Sequence, residues 1–451
     1  MDKTIDQIIA ENLQSGENTL DLSRSNVSGT EQCLYTIGAH VQVLDISNNE
    51  LKTLDFLSGL TNLAGLNINA ANLQDITVLK ELKNLEDIDL HNNKIESIAP
   101  LKDLKKLKFL SIGANQLSDI SVLKHHKRLQ FLGFHYNKGE LDFQSFPKSL
   151  KSLTQLDLFS NRIGDISFLS KFDKLEYLRL CSNAIEDITP LKKLKRLTEL
   201  DLSSNQIQDI QVINQLYSLH TLDVGWNSIM EVPTLNNLSQ LQVLDLGHNE
   251  LTNNIGGLKD LPHLKSLVLN ANRLEDVSDL KGLVNLEQLN LNLNKIIEIK
   301  ALENLIQLQY LDLSANHIID ITPLKNLIQL KNLNIRQNQI QHIEVLKSLE
   351  NLGELSLDLN NIEDFEPLKS VIDLEHLHLH HSQMLFPPCW YAYHKVKGGK
   401  VSDYASLKEL PQIEKIWQLI KTKEDKNIQL AQALAQGQGW TEEDFEVYKN
   451  L

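Results

Sequence analysis

Cysteine is almost missing from this chain of 451 residues: only Cys33, Cys181 and Cys389 occur, far apart and with no C-x-x-C pair. That excludes a disulfide framework and suits a reducing, cytoplasmic setting. Aromatic residues make up only 6% of the chain, so any place where they gather is informative. No apolar run approaches the roughly 18 residues that a membrane span needs. The first sixteen residues, MDKTIDQIIAENLQSG, carry Asp2, Asp6 and Glu11 and no long apolar core, unlike a usual secretory signal. The net charge of -15 has the wrong sign for nucleic acid or an anionic membrane, and suits a partner protein with a basic patch. There is no phosphate-cradling glycine loop, no H-E-x-x-H and no G-x-S-x-G. No catalytic residue and no cofactor follow from the sequence, and the protein is expected to be a non-enzymatic monomer.

What the chain has in abundance is Leu, Ile and Asn at fixed spacing. Residues 197–216, LTELDLSSNQIQDIQVINQL, and 308–327, LQYLDLSANHIIDITPLKNL, share one pattern, L-x-x-L-x-L-x-x-N-x-I-x-x-I. The first leucine of L-x-L, or its Ile equivalent at position 88, recurs seventeen times from Leu20 to Leu377. The step is 22 residues, apart from 24 before Leu44 and Leu156 and 23 before Leu267. Self-similarity of this kind marks a solenoid, which grows along one axis without splitting into separate cores.

Within a repeat, Leu200 and Leu202 alternate with Glu199, Asp201 and Ser203, the period of a half-buried strand. Fourteen of the seventeen repeats place Asn five residues after the first leucine; Ser25, Ala71 and Ser382 depart. Short amides at the bend suit an internal ladder that satisfies buried backbone groups. The return segment is short and opens with proline at Pro100, Pro190 and Pro323, which suits a single 3₁₀ or α turn. Ordering one repeat costs about 1–2 kcal/mol per residue, and its aliphatic side chains repay roughly 1.5–3 kcal/mol each only when covered. Stacking therefore decides stability. The expected fold is an α/β solenoid of about 17 parallel strands on a concave sheet, with short turns on the convex side and helical caps at both ends. Its expected segments are an N-terminal cap at 1–18, the repeats at 19–386 and a linker with a small helical cap at 387–451.

This 22-residue motif resembles the leucine-rich-repeat class seen in bacterial internalins and in the leucine-rich regulatory subunit of protein phosphatase 1. The resemblance runs from Leu20 to about Phe386. It implies recognition of another protein on the concave sheet, as a scaffold or adaptor. A phosphatase-type regulatory subunit is the alternative within that class.

At the ends, Ile5, Ile8, Ile9 and Leu13 fall at helical spacing before Gly16, as in a capping helix. Beyond a stretch at 387–401 that lacks the repeat, Ile413, Ile416, Trp417 and Ile420, then Ile428, Ala431 and Leu434, then Phe445 and Tyr448, predict three short helices.

Strand register assigns the residues that face outward. Asp recurs at the middle position, and Glu199, Asp201, Asp223 and Asp245 form the densest part of an acidic stripe. Phe109, Phe131, His135, Tyr136, Phe159 and Tyr177, with Arg179, project from four neighbouring strands. Cross-strand neighbours lie about 5 Å apart, so these rings are expected to touch and to form a partner-binding patch. The bland alternative is that they pack on one another or beneath the inserted residues near Gly139–Ser149. Trp226 and His248 form a smaller second candidate. His376, His378 and His380 alternate on one strand behind Glu354 and Asp358, a spacing that would allow two imidazoles to share a zinc ion. That makes a metal-binding protein the competing reading, against solvated surface histidines.

Overall fold

The computed structural model describes residues 3–137 and 141–364 continuously, then 367–368, 371, 374, 376–378, 428–429 and 431–433. The chain divides into two compact units, Met1–Ile229 and Met230–Leu451.

The first unit opens with helix α1 (Ile5–Ser15). Thr4 caps it: its hydroxyl accepts the Gln7 N–H while the Gln7 side chain accepts the Thr4 N–H, and Gly16 closes the helix at φ 70°. Ile9 and Asn12 are buried, and Leu13, expected on the buried face, is exposed. The Asn12 amide donates to Glu17 O and Thr19 O, so a polar side chain fastens the helix to the first strand.

Ten parallel strands follow: β1 (Thr19–Asp21), β2 (Val43–Asp45), β3 (Gly65–Asn67), β4 (Asp87–Asp89), β5 (Phe109–Ser111), β6 (Phe131–Gly133), β7 (Gln155–Asp157), β8 (Tyr177–Arg179), β9 (Glu199–Asp201) and β10 (Thr221–Asp223). The second unit contributes β11 (Val243–Asp245), β12 (Ser266–Val268), β13 (Gln288–Asn290), β14 (Tyr310–Asp312), β15 (Asn332–Asn334), β16 (Glu354–Ser356) and β17 (His376–His378), again parallel. Each strand is three residues long and centred on the leucine or isoleucine that the 22-residue spacing picks out. Neighbours pair with those residues opposite, as in Leu110↔Leu132 and Leu289↔Leu311.

Short 3₁₀ turns return the chain in most repeats, and Pro100, Pro190 and Pro323 stand in the first turn of theirs. Pro fits there because its missing N–H has no partner to lose. In the repeat of β9, Leu200, Leu202, Ile207, Ile210, Ile213, Leu216 and Leu219 are all essentially inaccessible. They are the seven aliphatic side chains that only stacked neighbours can cover.

The asparagine ladder has the expected form. Asn115 Oδ1 accepts the Ile95 N–H at 2.9 Å from the preceding repeat, while its Nδ2 donates to Leu90 O, Ile112 O and Gly113 O at 3.0–3.2 Å. To turn the amide inward, the backbone enters the left-handed region one residue earlier, at Asn92, Ala114, Tyr136, Ser160 and their equivalents.

Inserted residues 141–149 before β7 pack on the return side. Phe143 meets buried Phe134 edge-on at 6.2 Å and Phe168 at 5.8 Å, and Phe146 lies against Phe168 and Phe172. The expected C-terminal helices lie outside the described residues, except for helical pieces at 428–429 and 431–433 that include buried Ala431.

Candidate functional site

The outward face begins with a structural duty. In every described strand with Asp or Asn at its third residue, that side chain's Oδ1 accepts the backbone N–H two residues on. Asp89 to His91 (2.9 Å), Asp201 to Ser203 (3.0 Å), Asp223 to Gly225 (2.9 Å) and, in the second unit, Asp245 to Gly247 (2.7 Å) are examples. This Asx turn explains why Asp recurs in L-D-L. The carboxylate charge stays on the face beside exposed Glu199.

In the first unit three strands depart from that habit, with Ser111, Gly133 and Arg179 at the third position. They are β5, β6 and β8, three of the strands that carry the rings. Phe109 and Phe131 stand opposite one another and stack, with centroids 4.3 Å apart and planes 6° from parallel. Gly133 makes this possible: the Phe131 ring leans over it, 3.2 Å from where a Cβ would stand.

A second row runs across β4–β8. The His91 and His135 rings are 4.7 Å apart, His135 and Phe159 6.5 Å, and the Arg179 guanidinium lies 4.7 Å over the Phe159 ring. His135 reaches His91 across Gly113, where a Cβ would come within 2.5 Å of the imidazole. Two glycines thus give rings the room to lie flat against the sheet. The face at these strands is a pavement of planar groups, half-buried at Phe109, Phe131, His135, Phe159, Tyr177 and Arg179, and exposed at Tyr136. Tyr136 stands in the left-handed region at φ 55°. The inserted residues that could have roofed the rings pack instead with Phe134, Phe168 and Phe172.

Charge is concentrated at Asp157. Its Oδ2 is 3.3 Å from His135 Nδ1 and 3.7 Å from Arg179 Nη1, and Arg179 Nε is 3.4 Å from Asp201 Oδ2. The His135 contact lies off hydrogen-bond geometry. Burial works against charge on Asp157, but His135, the Phe159 N–H and Arg179 outweigh it and hold the carboxyl below its ordinary value. Burial, then the neighbouring His135, pushes His91 below the usual imidazole range. Burial and then Asp201 push the Cys181 thiol up to about 12, so it is inert at neutral pH.

His91 was not among the residues singled out by sequence. It stands 44 residues before His135, two repeat periods, and that spacing was the available signal. Trp226 belongs to the first unit and is strongly exposed, at φ 55°. His248 belongs to the second, where its Nε2 and Asn270 Nδ2 are 3.2 Å apart. In the histidine cluster, His376 Nδ1 lies 3.8 Å from Glu354 Oε1, and His378 follows on the same strand. His380 and the His378 side chain lie outside the described residues, and no metal-ligating group of three is found among those that are described. No described helix is long and apolar enough to cross a membrane.

Comparison with known proteins agrees with this architecture. The family model for leucine-rich repeats in two copies matches residues 83–125, 151–193, 195–237 and 239–282, and a second leucine-rich-repeat model matches 262–318. The internalin inlF of Listeria monocytogenes is 27% identical over 84% of this chain and 95% of its own, with a TM-score of 0.53. A leucine-rich-repeat protein of Leptospira interrogans is 24% identical over 89% of this chain and 93% of its own, with a TM-score of 0.62. The leucine-rich-repeat ectodomain of an Arabidopsis thaliana receptor kinase, solved in complex with Casparian strip integrity factor 2, is 22% identical over 80% of this chain and 52% of its own, at TM-score 0.56. No curated protein matches significantly.

Proposed function

We propose that this chain, a leucine-rich-repeat protein, is a non-enzymatic scaffold or adaptor that captures another protein on its sheet surface, the concave side expected from the repeat. The observation that carries this reading is the planar pavement on β4–β8, with half-buried Phe109 and Phe131 stacked on the sheet surface and Arg179 lying over Phe159. Rings left partly in water on a face are what binding hot spots are made of. The repeat's own Asx turn is given up at Ser111, Gly133 and Arg179, where planar groups take over the surface. A basic partner surface fits best, because Asp157, Glu199, Asp201 and Asp223 stand beside the rings. The free thiols of Cys33 and Cys181 support a reducing, cytoplasmic setting. A phosphatase-type regulatory subunit would use the same face. The metal reading keeps only His376 beside Glu354 in its support.

Affinity capture from the native cell tests the proposal. Phe131→Ala with Phe159→Ala is expected to weaken capture by at least about 100-fold, as for two hot-spot truncations, while the chain stays folded and loses about 1–3 kcal/mol with the Phe109 stack and the Arg179 contact. Undiminished capture by the double variant would remove this face as the docking site.

A further inference from the structure

Every described repeat enters the left-handed region immediately before its ladder position, where glycine or asparagine is accommodated at least cost. Across β6–β10 that row reads Tyr136, Ser160, Ser182, Ser204 and Trp226, with φ between 54° and 56°. Its two ends are large rings that leave 54% and 59% of their surface in water, and no other aromatic stands in the row. Directly inboard stand His135 and Phe159, the latter under the Arg179 guanidinium, at the Tyr136 end, and the small Cys181, Ser203 and Gly225 toward Trp226. Four strand spacings of about 4.8 Å separate Tyr136 from Trp226, or roughly 19 Å along the sheet. Beside this row Asp157, Glu199, Asp201 and Asp223 set four carboxylates against one guanidinium, Arg179.

We infer that this trough holds an extended, positively charged peptide segment of the partner, with one apolar side chain against Tyr136 and a second about six residues on against Trp226. An extended chain advances about 3.3 Å per residue, so roughly 19 Å corresponds to about six residues. A helix, some 10–12 Å across, would ride on the two rings without meeting the serine hydroxyls between them. Those hydroxyls give and accept hydrogen bonds along an extended backbone, while the carboxylates draw Lys or Arg side chains to the inboard edge. The inference rests on the docking face proposed above and specifies what enters it.

Fluorescence polarisation with the full chain tests it, using labelled Lys/Ser peptides that carry two tryptophans separated by two to ten positions. Affinity is expected to peak at a separation near six, at least tenfold above a peptide with one tryptophan. Tyr136→Asn and Trp226→Asn should each reduce the best peptide to the single-tryptophan level, and added salt should weaken it further. Both variants are expected to melt at or above wild type, because Asn tolerates the left-handed backbone. Binding that is absent, independent of spacing or untouched by Trp226→Asn would overturn the trough. If Phe131→Ala with Phe159→Ala loses the captured partner while both Asn variants retain it, the trough is wrong and the docking face stands. If none of these variants alters capture, the docking face itself is wrong.

Discussion

Asn316, in the second unit, allows the ladder's contribution to be worked out bond by bond. Its Oδ1 accepts the buried Ile296 N–H at 3.0 Å, and its Nδ2 donates to Leu291 O, Leu313 O and Ser314 O at 3.0–3.2 Å. Each carbonyl has a second donor: Asn294 Nδ2 for Leu291, Asn338 Nδ2 for Leu313, and Asn292 Nδ2 with the Leu293 N–H for Ser314. Asn316→Ala therefore strands a single buried group, the Ile296 N–H, and thins three shared bonds. An orphaned buried donor costs about 1–3 kcal/mol, so we expect a loss of about 3 kcal/mol. Asn316→Asp keeps the shape and the acceptor, but points a carboxylate oxygen at three carbonyl oxygens. A buried charge without a partner costs about 3–5 kcal/mol, so this nearly isosteric change should be the worse of the two. Urea unfolding at pH 7, followed by circular dichroism, should rank wild type above Asn316→Ala above Asn316→Asp. Lowering the pH should narrow the gap between the two variants as the buried carboxyl takes up a proton. An aspartate variant as stable as wild type at pH 7 would refute the donor role assigned to the amide.

Two further outcomes follow from ionisable groups in the first unit. His126 fills a place that leucine holds at Leu82 and Leu104; it is fully buried, with Nε2 2.9 Å from Leu101 O and Nδ1 unpartnered. Burial depresses its proton affinity, so the unfolded chain binds a proton near pH 6.5 that the folded chain refuses, and stability falls as pH drops below about 6.5. His126→Leu leaves Leu101 O bonded to the Leu104 N–H, and should raise stability by about 1–2 kcal/mol and flatten that acid slope in melts from pH 5 to 8. Arg179→Gln removes the guanidinium over Phe159 and beside Asp157, for an expected loss of about 1 kcal/mol at pH 7. Because the folded Asp157 carboxyl lies below its ordinary value, its stabilisation is present above about pH 3.9 and is lost as pH falls through the folded value. The gap between wild type and variant should narrow in thermal melts as pH falls below the ordinary carboxylate range, leaving the Phe159 contact, and a gap unchanged by pH would mean that the Asp157 carboxylate is no part of its source.

The repeat spacing made the strand centres, the proline-led turns and the Asn ladder legible, because a stacked solenoid repeats one local solution at one period. Register likewise placed Phe109 opposite Phe131 and His135 beside Phe159. Register does not say which way a ring leans. That was set by Gly133, whose missing side chain lets Phe131 lean along its own strand, and by Gly113, which lets His135 lie across the neighbouring strand and brings His91 into the row. The role of the recurring Asp was hidden for a similar reason: its bond runs to its own backbone two residues ahead, which a count of outward charges does not reveal. Phe143 and Phe146 could have been taken as a lid, but the insertion carries them to the return side, against Phe168. His126 was silent in the sequence because the pair His125-His126 between Lys124 and Lys127 reads as surface.

Site-specific photocrosslinking in the native cell tests the docking face most directly. A photoreactive phenylalanine analogue at Tyr136 should trap the partner, while the same group at Lys192, on a return turn, should trap nothing above background. A crosslinked partner from Lys192 and none from Tyr136 would contradict the account.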